Sequence, residues 1–221
     1  MTYLGGISLP NAELIYRGAE ADVYTGPWCG RKAVFKFRKK LPYRLEVLDR
    51  AIRSQRTLHE ADMIHRVKKV GVNSPSLYFV DPSDSLLVME FVRGTRMKDL
   101  VSSLPQGSSA PLFTELGRMV ARLHSSGIMH GDLTTSNVIV EGEKLVMIDF
   151  GLSITTARLE DQAVDLRLIK ETLTGAHSDL ARGALDALFA GYEDVVGERR
   201  VCSVLRQLRD IERRGRYARV D

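Results

Sequence analysis

Short apolar runs fill the first part of the chain, at 13–16, 22–25, 32–37, 77–80 and 86–91. Runs of this length, rich in β-branched and aromatic residues, predict strands. Between the third and fourth lies a long polar stretch, 43–70, which reads as one large helix closed by Gly71. A Ser-, Gly- and Pro-rich stretch follows at 102–111, and then the period changes. Leu112, Phe113, Leu116, Met119, Val120 and Leu123 recur at three- and four-residue spacing, which places them on one helix face. Val138 to Val140 and Leu145 to Ile148 flank Glu141-Gly142-Glu143-Lys144 and predict a hairpin. Helices are expected at 161–173, 178–195 and 198–214. The last carries an apolar stripe of Val201, Val204, Leu205, Leu208 and Ile211, so most of its arginines project from other faces. There is no internal repeat, and no proline follows Pro111. The order predicts an α+β chain of two lobes flanking a cleft: a β-rich N-lobe, 1–92, with one large helix, and a mainly helical C-lobe, 93–221.

The 221 residues are 44% hydrophobic and 27% charged, the composition of a folded globular chain. No apolar run approaches the roughly 18 residues that span a bilayer. Residues 1–10 lack the basic start and apolar stretch of a signal peptide. Cys29 and Cys202 stand far apart, which excludes a disulfide framework or a zinc ribbon. The expectation is a cytoplasmic chain with no membrane partner. The net charge of +4 is unevenly distributed. From Glu198 onward there are eight arginines against four acids, and segment 31–69 holds thirteen Lys and Arg against four Asp and Glu. Two basic segments on an otherwise acidic chain suggest a polyanionic partner. Solvated helix faces are the commoner origin of such runs taken by themselves.

The strongest chemical signal is His130-Gly131-Asp132-Leu133-Thr134-Thr135-Ser136-Asn137, followed twelve residues after Asn137 by Asp149-Phe150-Gly151. The intervening hairpin brings Asp132, Asn137 and Asp149 together. Phosphoryl transfer needs such a cluster. Mg²⁺ prefers carboxylate, amide and phosphate oxygens. Asn137 and Asp149 suit the metal, and Asp132 suits the attacking hydroxyl or water. Upstream, Ala33-Val34-Phe35-Lys36 matches the strand that carries a phosphate-pairing lysine, with Ala33 as part of an adenine roof. Glu60 is the best partner for Lys36, with Asp62 and Glu46 as alternatives.

No Gly-rich loop of the usual form exists. Gly18, Ala19, Glu20 and Ala21 stand between the first two strands, where small residues let backbone amides approach phosphates. Glu20 is out of place there unless a lysine or a metal pairs with it. The apolar strand ending in Met89, Glu90 and Val92 has the form of an adenine-binding hinge, with Met89 behind the pocket and backbone of Glu90 and Val92 at the base edge. Val23, Ala33 and Ile139 would sandwich the ring.

These motifs resemble the protein-kinase-like superfamily over nearly the whole chain. More narrowly, the chain is similar to the small kinase/ATPase subunit of the KEOPS complex, the Bud/PRPK family, in its stand-alone archaeal-type form. The narrower resemblance rests on Gly18-Ala19-Glu20-Ala21, on the basic segment from Lys39 to Arg44 with Leu48-Asp49, and on Arg56-Thr57 with Glu60-Ala61. It rests also on Gly71-Val72-Asn73-Ser74-Pro75, on the string from His130 to Asn137, on Asp149 to Ser153, and on Glu160 to Leu166. The family often has His-Pro where Leu45-Glu46 stand here. The resemblance implies a reduced bilobal fold, ATP and Mg²⁺ as cofactors, and weak Ser/Thr phosphorylation. It implies ATPase work within a complex that makes N6-threonylcarbamoyladenosine in tRNA. It implies a transferase subunit on the C-lobe, a small subunit on the N-lobe, and tRNA at the Arg-rich tail and segment 31–69. Only thirteen residues separate Gly151 from Asp165, there is no A-P-E, and Thr134 replaces the usual catalytic-loop lysine. Such a site should be a poor general protein kinase. Three other readings compete: a RIO-type kinase of ribosome assembly, a small-molecule phosphotransferase, and a pseudokinase adaptor.

Overall fold

A computed structural model describes residues 2–4, 7–9, 11–104, 108–176 and 180–217. The chain divides into two compact units, Met1–Arg66 with Ser74–Arg93, and Val67–Asn73 with Gly94–Asp221. In the first, β1 (Thr2–Leu4) and β2 (Ile7–Leu9) pair with each other. Strands β3 (Glu13–Arg17), β4 (Ala21–Trp28), β5 (Arg31–Arg38), β6 (Leu77–Asp81) and β7 (Leu86–Glu90) form an antiparallel sheet in the order β3-β4-β5-β7-β6. The helix α1 (Glu46–Lys69) lies between β5 and β6 in sequence, as its polar pattern predicts.

Period-two alternation gives the sheet two distinct faces. Ala33 and Phe35 of β5 meet Leu86 and Val88 of β7 in one buried cluster, with Trp28, Phe37 and Tyr78 packed against it. Trp28 sits edge-on to Phe35 with ring centroids 5.9 Å apart. The opposite face carries Val23, Val34, Lys36, Leu87 and Met89, which the register pairs as Val23↔Lys36, Val34↔Met89 and Lys36↔Leu87. This is the face that α1 serves, because Lys36 and Arg38 both reach Glu60 on that helix.

The second unit opens with β8 (Thr95–Arg96) and the short helix α2 (Met97–Val101). Helix α3 (Ala110–Ser125) begins one residue before Pro111, which occupies the first turn, where its missing N–H costs nothing. Strand β9 (Ile128–Met129) and a 3-10 turn (Thr135–Asn137) lead into the hairpin β10 (Val138–Glu141) and β11 (Lys144–Met147). A two-residue strand, β12 (Ile154–Thr155), returns to pair with β9. Helices α4 (Leu159–Ala176), α5 (Ala181–Val196) and α6 (Glu198–Tyr217) complete the unit. The expected stretch at 102–111 is therefore shorter than its composition indicates, and residues 105–107 and 177–179 lie outside the described residues.

Helices α3 and α5 cross at unusually short range. A Cβ on Gly117 would stand 2.0 Å from the Leu188 carbonyl oxygen, and one on Gly191 would stand 1.9 Å from that of Thr114. Only glycine lets both backbones approach this closely. Gly117→Ala should therefore cost about 1–3 kcal/mol in urea unfolding, the range of overpacked cores. Gly183→Ala, on the open side of α5 with nothing within 4 Å, should be neutral or stabilising. Equal stability of the two variants would contradict the packing.

Candidate active site

In the first unit, strand alternation aims Lys36 and Arg38 at the same carboxylate. Lys36 Nζ donates to Glu60 Oε1 at 2.7 Å, and Arg38 Nη2 donates to Oε2 at 2.6 Å. Glu60 is 1% exposed, so two cations compensate a charge that burial alone would penalise. The alternatives are engaged elsewhere: Asp62 faces Arg66 at 3.8 Å, and Glu46 binds Lys40 at 2.8 Å.

Ala33 requires a correction. It stands three positions before Lys36, and an odd offset on a strand reverses the face. Ala33 is buried in the apolar cluster with Phe35, while Val34 shares the Lys36 face with Val23 and Met89. Met89 and Glu90 end β7; the Glu90 N–H donates to Ser76 O at 2.8 Å, and the Glu90 carboxylate accepts the Ser76 N–H at 2.9 Å. The Glu90 N–H is therefore engaged within the first unit. Val92 follows β7, and Ile139 lies on β10 opposite Val146 and Arg96.

The β3–β4 turn is a bolted turn. Gly18 N–H donates to Ala21 O at 2.9 Å, and Ala19 lies within the turn. Lys39 fastens it twice, through Nζ to Gly18 O at 2.6 Å and through its own N–H to Glu20 O at 2.9 Å. Glu20 finds arginines rather than the lysine or metal its position demands: Arg44 at 3.2 Å, and Arg56. Partial burial works against the charged carboxylate, but Arg56 and Arg44 outweigh it and hold Glu20 below its ordinary 4.5.

Ion pairs engage many cations of the basic segment, but the pairs share six carboxylates, so a positive excess remains. Lys36, Arg38, Lys39, Lys40, Arg44, Arg53, Arg56 and Arg66 all face acids. Asp49, fully buried, takes Arg53 Nε at 2.7 Å and the Leu41 N–H at 3.3 Å, and the Arg53 hydrogen bond holds it below the usual carboxylate range. A polyanion would meet fewer available charges on 31–69 than the composition suggests. On α6, Arg206, Arg209 and Arg213 are exposed.

In the second unit, the loop 130–137 is held from beneath. Asp165 of α4, fully buried, accepts the His130 N–H at 2.6 Å and the Gly131 N–H at 2.9 Å. Gly131 has φ +82°, and a Cβ there would meet Leu152 O at 2.2 Å, so glycine is obligatory. Ser153 Oγ donates to His130 O at 2.9 Å, which stitches the Asp149-Phe150-Gly151 segment to the loop. Leu133 and Thr135 are buried anchors, with Asp132 and Asn137 half-buried beside them.

Asn137 is the junction. Its side-chain amide donates to Asp132 O at 2.9 Å and to Asp132 Oδ2 at 2.8 Å. Its backbone carbonyl accepts the Ile148 N–H at 2.9 Å, one residue before Asp149. Asp149 is exposed at φ 63°, a left-handed conformation that Asp tolerates better than most residues and that recurs at functional sites. Because the amide nitrogen of Asn137 is committed to Asp132, its oxygen is presented as an acceptor. An amide oxygen and an exposed carboxylate form a donor set that fits a hard cation completing its shell with phosphate and water. Asn73 also belongs to the support: it accepts the Met147 N–H at 2.9 Å and donates to Leu145 O at 3.1 Å. Sequence reasoning noted Asn73 only within a motif, and its bonds to β11 span more than seventy residues.

Glu20 yields a pH test. A carboxyl held low contributes stability above its unfolded value, and the contribution disappears as pH falls through the lowered one. Wild type should exceed Glu20→Gln at neutral pH by under about 1 kcal/mol, because the partly exposed Glu20–Arg56 pair is screened. The difference should shrink below pH 4.5. Urea unfolding from pH 7 to pH 3 measures it, and a difference that persists at pH 3 would contradict the pairing.

A RIO-domain model matches residues 31–167. The "Probable bifunctional tRNA threonylcarbamoyladenosine biosynthesis protein" of Methanothermobacter thermautotrophicus is 39% identical over 212 residues, covering 96% of this chain and 38% of that protein. This chain thus spans well under half of that relative. The "KEOPS complex subunit Bud32" of Pyrococcus abyssi is 36% identical over 211 residues, covering 93% of this chain and 96% of its own length. The Rio2 kinase of Chaetomium thermophilum, solved as an ADP/Mg²⁺-phosphoaspartate complex, matches with a TM-score of 0.64 at 14% identity, over 93% of this chain and 72% of that one. That likeness shows the kinase-like fold. The RIO-type and KEOPS readings thus meet at the level of the domain and separate at the level of whole-length relatives. A matched domain and a near-full-length relative together show that this chain belongs to the RIO-domain family and, within it, to the group of the KEOPS subunit Bud32.

Proposed function

We propose that the chain is an ATP- and Mg²⁺-dependent phosphotransferase and ATPase, an atypical Ser/Thr kinase in kind, that works as a KEOPS subunit supporting N6-threonylcarbamoyladenosine formation in tRNA. The names of its relatives support the setting, one a KEOPS subunit and the other a tRNA threonylcarbamoyladenosine biosynthesis protein. The observation that carries the chemistry is the Asn137 amide on Asp132, in a loop fastened beside Asp149.

In this reading Lys36, oriented by Glu60, holds the nucleotide phosphates. Asn137 and Asp149 hold the metal, which when bound neutralises charge on the phosphate oxygens. Asp132 offers one carboxylate oxygen to Asn137 and uses the other to orient the attacking hydroxyl or water and receive its proton. Val23, Val34 and Met89 supply apolar surface for the base, and the small residues Gly18, Ala19 and Ala21 leave room at the phosphates. A transferase subunit on the C-lobe and a small subunit on the N-lobe complete the assembly. For tRNA, the exposed arginines of α6 and the positive excess of segment 31–69 are the contacts proposed.

The test is Mg²⁺-dependent ATP hydrolysis by the purified chain, alone and with the KEOPS transferase subunit and tRNA. Asp132→Ala should lower turnover by about 10²–10⁴-fold, the range of a positioned general base. Turnover in the wild type should rise with the partner and tRNA. Near-normal turnover in the variant would overturn the role of Asp132. Hydrolysis indifferent to both partners would overturn the KEOPS setting.

A further inference from the structure

We infer that Tyr192 and His124 are positioning residues for the catalytic loop, acting through the Asp165 carboxylate. The inference rests on the reading of loop 130–137 as catalytic.

The three side chains form a buried line from α5 through α3 to α4. Tyr192 OH lies 3.0 Å from His124 Nδ1, and His124 Nε2 lies 3.3 Å from Asp165 Oδ2. Tyr192 and Asp165 are fully buried, and His124 is 3% exposed. A neutral imidazole carries one N–H and one acceptor nitrogen. If Nε2 carries the proton toward Asp165, Nδ1 must accept, and the tyrosine hydroxyl is the donor placed to meet it. Tyr192 therefore selects the tautomer that lets His124 serve Asp165. Burial raises the Tyr192 pKa, so its proton stays available for that bond. Oδ2 of Asp165 is the oxygen that also accepts the His130 N–H, while Oδ1 accepts the Gly131 N–H. Three donors thus fix one carboxylate, and the carboxylate fixes the two backbone amides that precede Asp132.

Two further features place this line. The Gly117 and Gly191 close approaches let α5 come near enough to α3 for the hydroxyl to reach the ring. Gln162 of α4 donates to His124 O at 3.0 Å and accepts from Arg200 of α6 at 2.9 Å, so the backbone of His124 is held as well as its ring. A phenylalanine would fill the same apolar space without bringing a hydroxyl that must be satisfied. The hydroxyl is explained by what it orients.

Tyr192→Phe removes one oxygen and little else. Hydrogen exchange at the His130 and Gly131 amides should accelerate on the order of 10-fold, because Asp165 loses its orientation from beneath. Turnover of ATP should fall by a similar factor while the KM for Mg²⁺-ATP stays within about twofold, since misplacement affects the reacting geometry rather than nucleotide binding. His124→Leu removes the intermediary, so adding Tyr192→Phe in that background should produce no further change in either readout. Unchanged exchange at the two amides, or losses that multiply in the double variant, would overturn the inference. The exchange readout is independent of the reaction. Accelerated exchange together with full activity of Asp132→Ala would support the positioning line and count against the phosphotransfer reading.

Discussion

Asp165, a buried carboxylate on α4, sets the geometry of the loop 130–137. It accepts the N–H groups of His130 and Gly131 and faces the His124 ring. Without it, two backbone amides and a polar ring would be left unsatisfied in an apolar interior, which no fold tolerates cheaply. Its neighbours complete the arrangement. Ser153 fastens the segment after Asp149 to His130, Gly131 admits Leu152 at close range, and Asn137 joins Asp132 to the β10–β11 hairpin. The residues proposed for chemistry are thus held by a frame more buried than they are.

The first unit follows the same logic with charge. Glu60 is held by two cations on one face of β5, so Lys36 is oriented before any ligand arrives. Glu20 is locked by Arg44 and Arg56, and Lys39 closes the turn beneath it. Residues 19–21 keep negative φ and need no glycine, whereas a Cβ on Gly18 would meet Ala21 O at 2.7 Å.

Much of this was legible in the residues. The five long strands, the large helix, the hairpin and the Lys36–Glu60 pairing follow from period, spacing and motif. The elements that escaped are those too short to have a period: β1 and β2 have three residues each, β8, β9 and β12 two each, and α2 has five. Pro111 reads as the end of a loop, but belongs to the first turn of a helix. The face of Ala33 was legible too, since three positions separate it from Lys36, yet the motif match obscured the alternation. The partners of Glu20 stand 24 and 36 residues away, a distance no local pattern encodes. The same holds for His124 and Tyr192, 68 residues apart and joined only by the crossing of α3 and α5. The partners of cations within 31–69 were hidden for a related reason, because Glu20 and Asp22, which pair with them, lie outside the segment.

The central claim is that this frame presents Asn137 and Asp149 to a metal-bound nucleotide. The most direct measurement is the affinity for ATP by titration calorimetry, with and without Mg²⁺, in the wild type and in Asp149→Asn. The account predicts that Mg²⁺ tightens binding in the wild type and that the variant loses most of this gain while remaining folded. An equal gain from Mg²⁺ in both chains would contradict it.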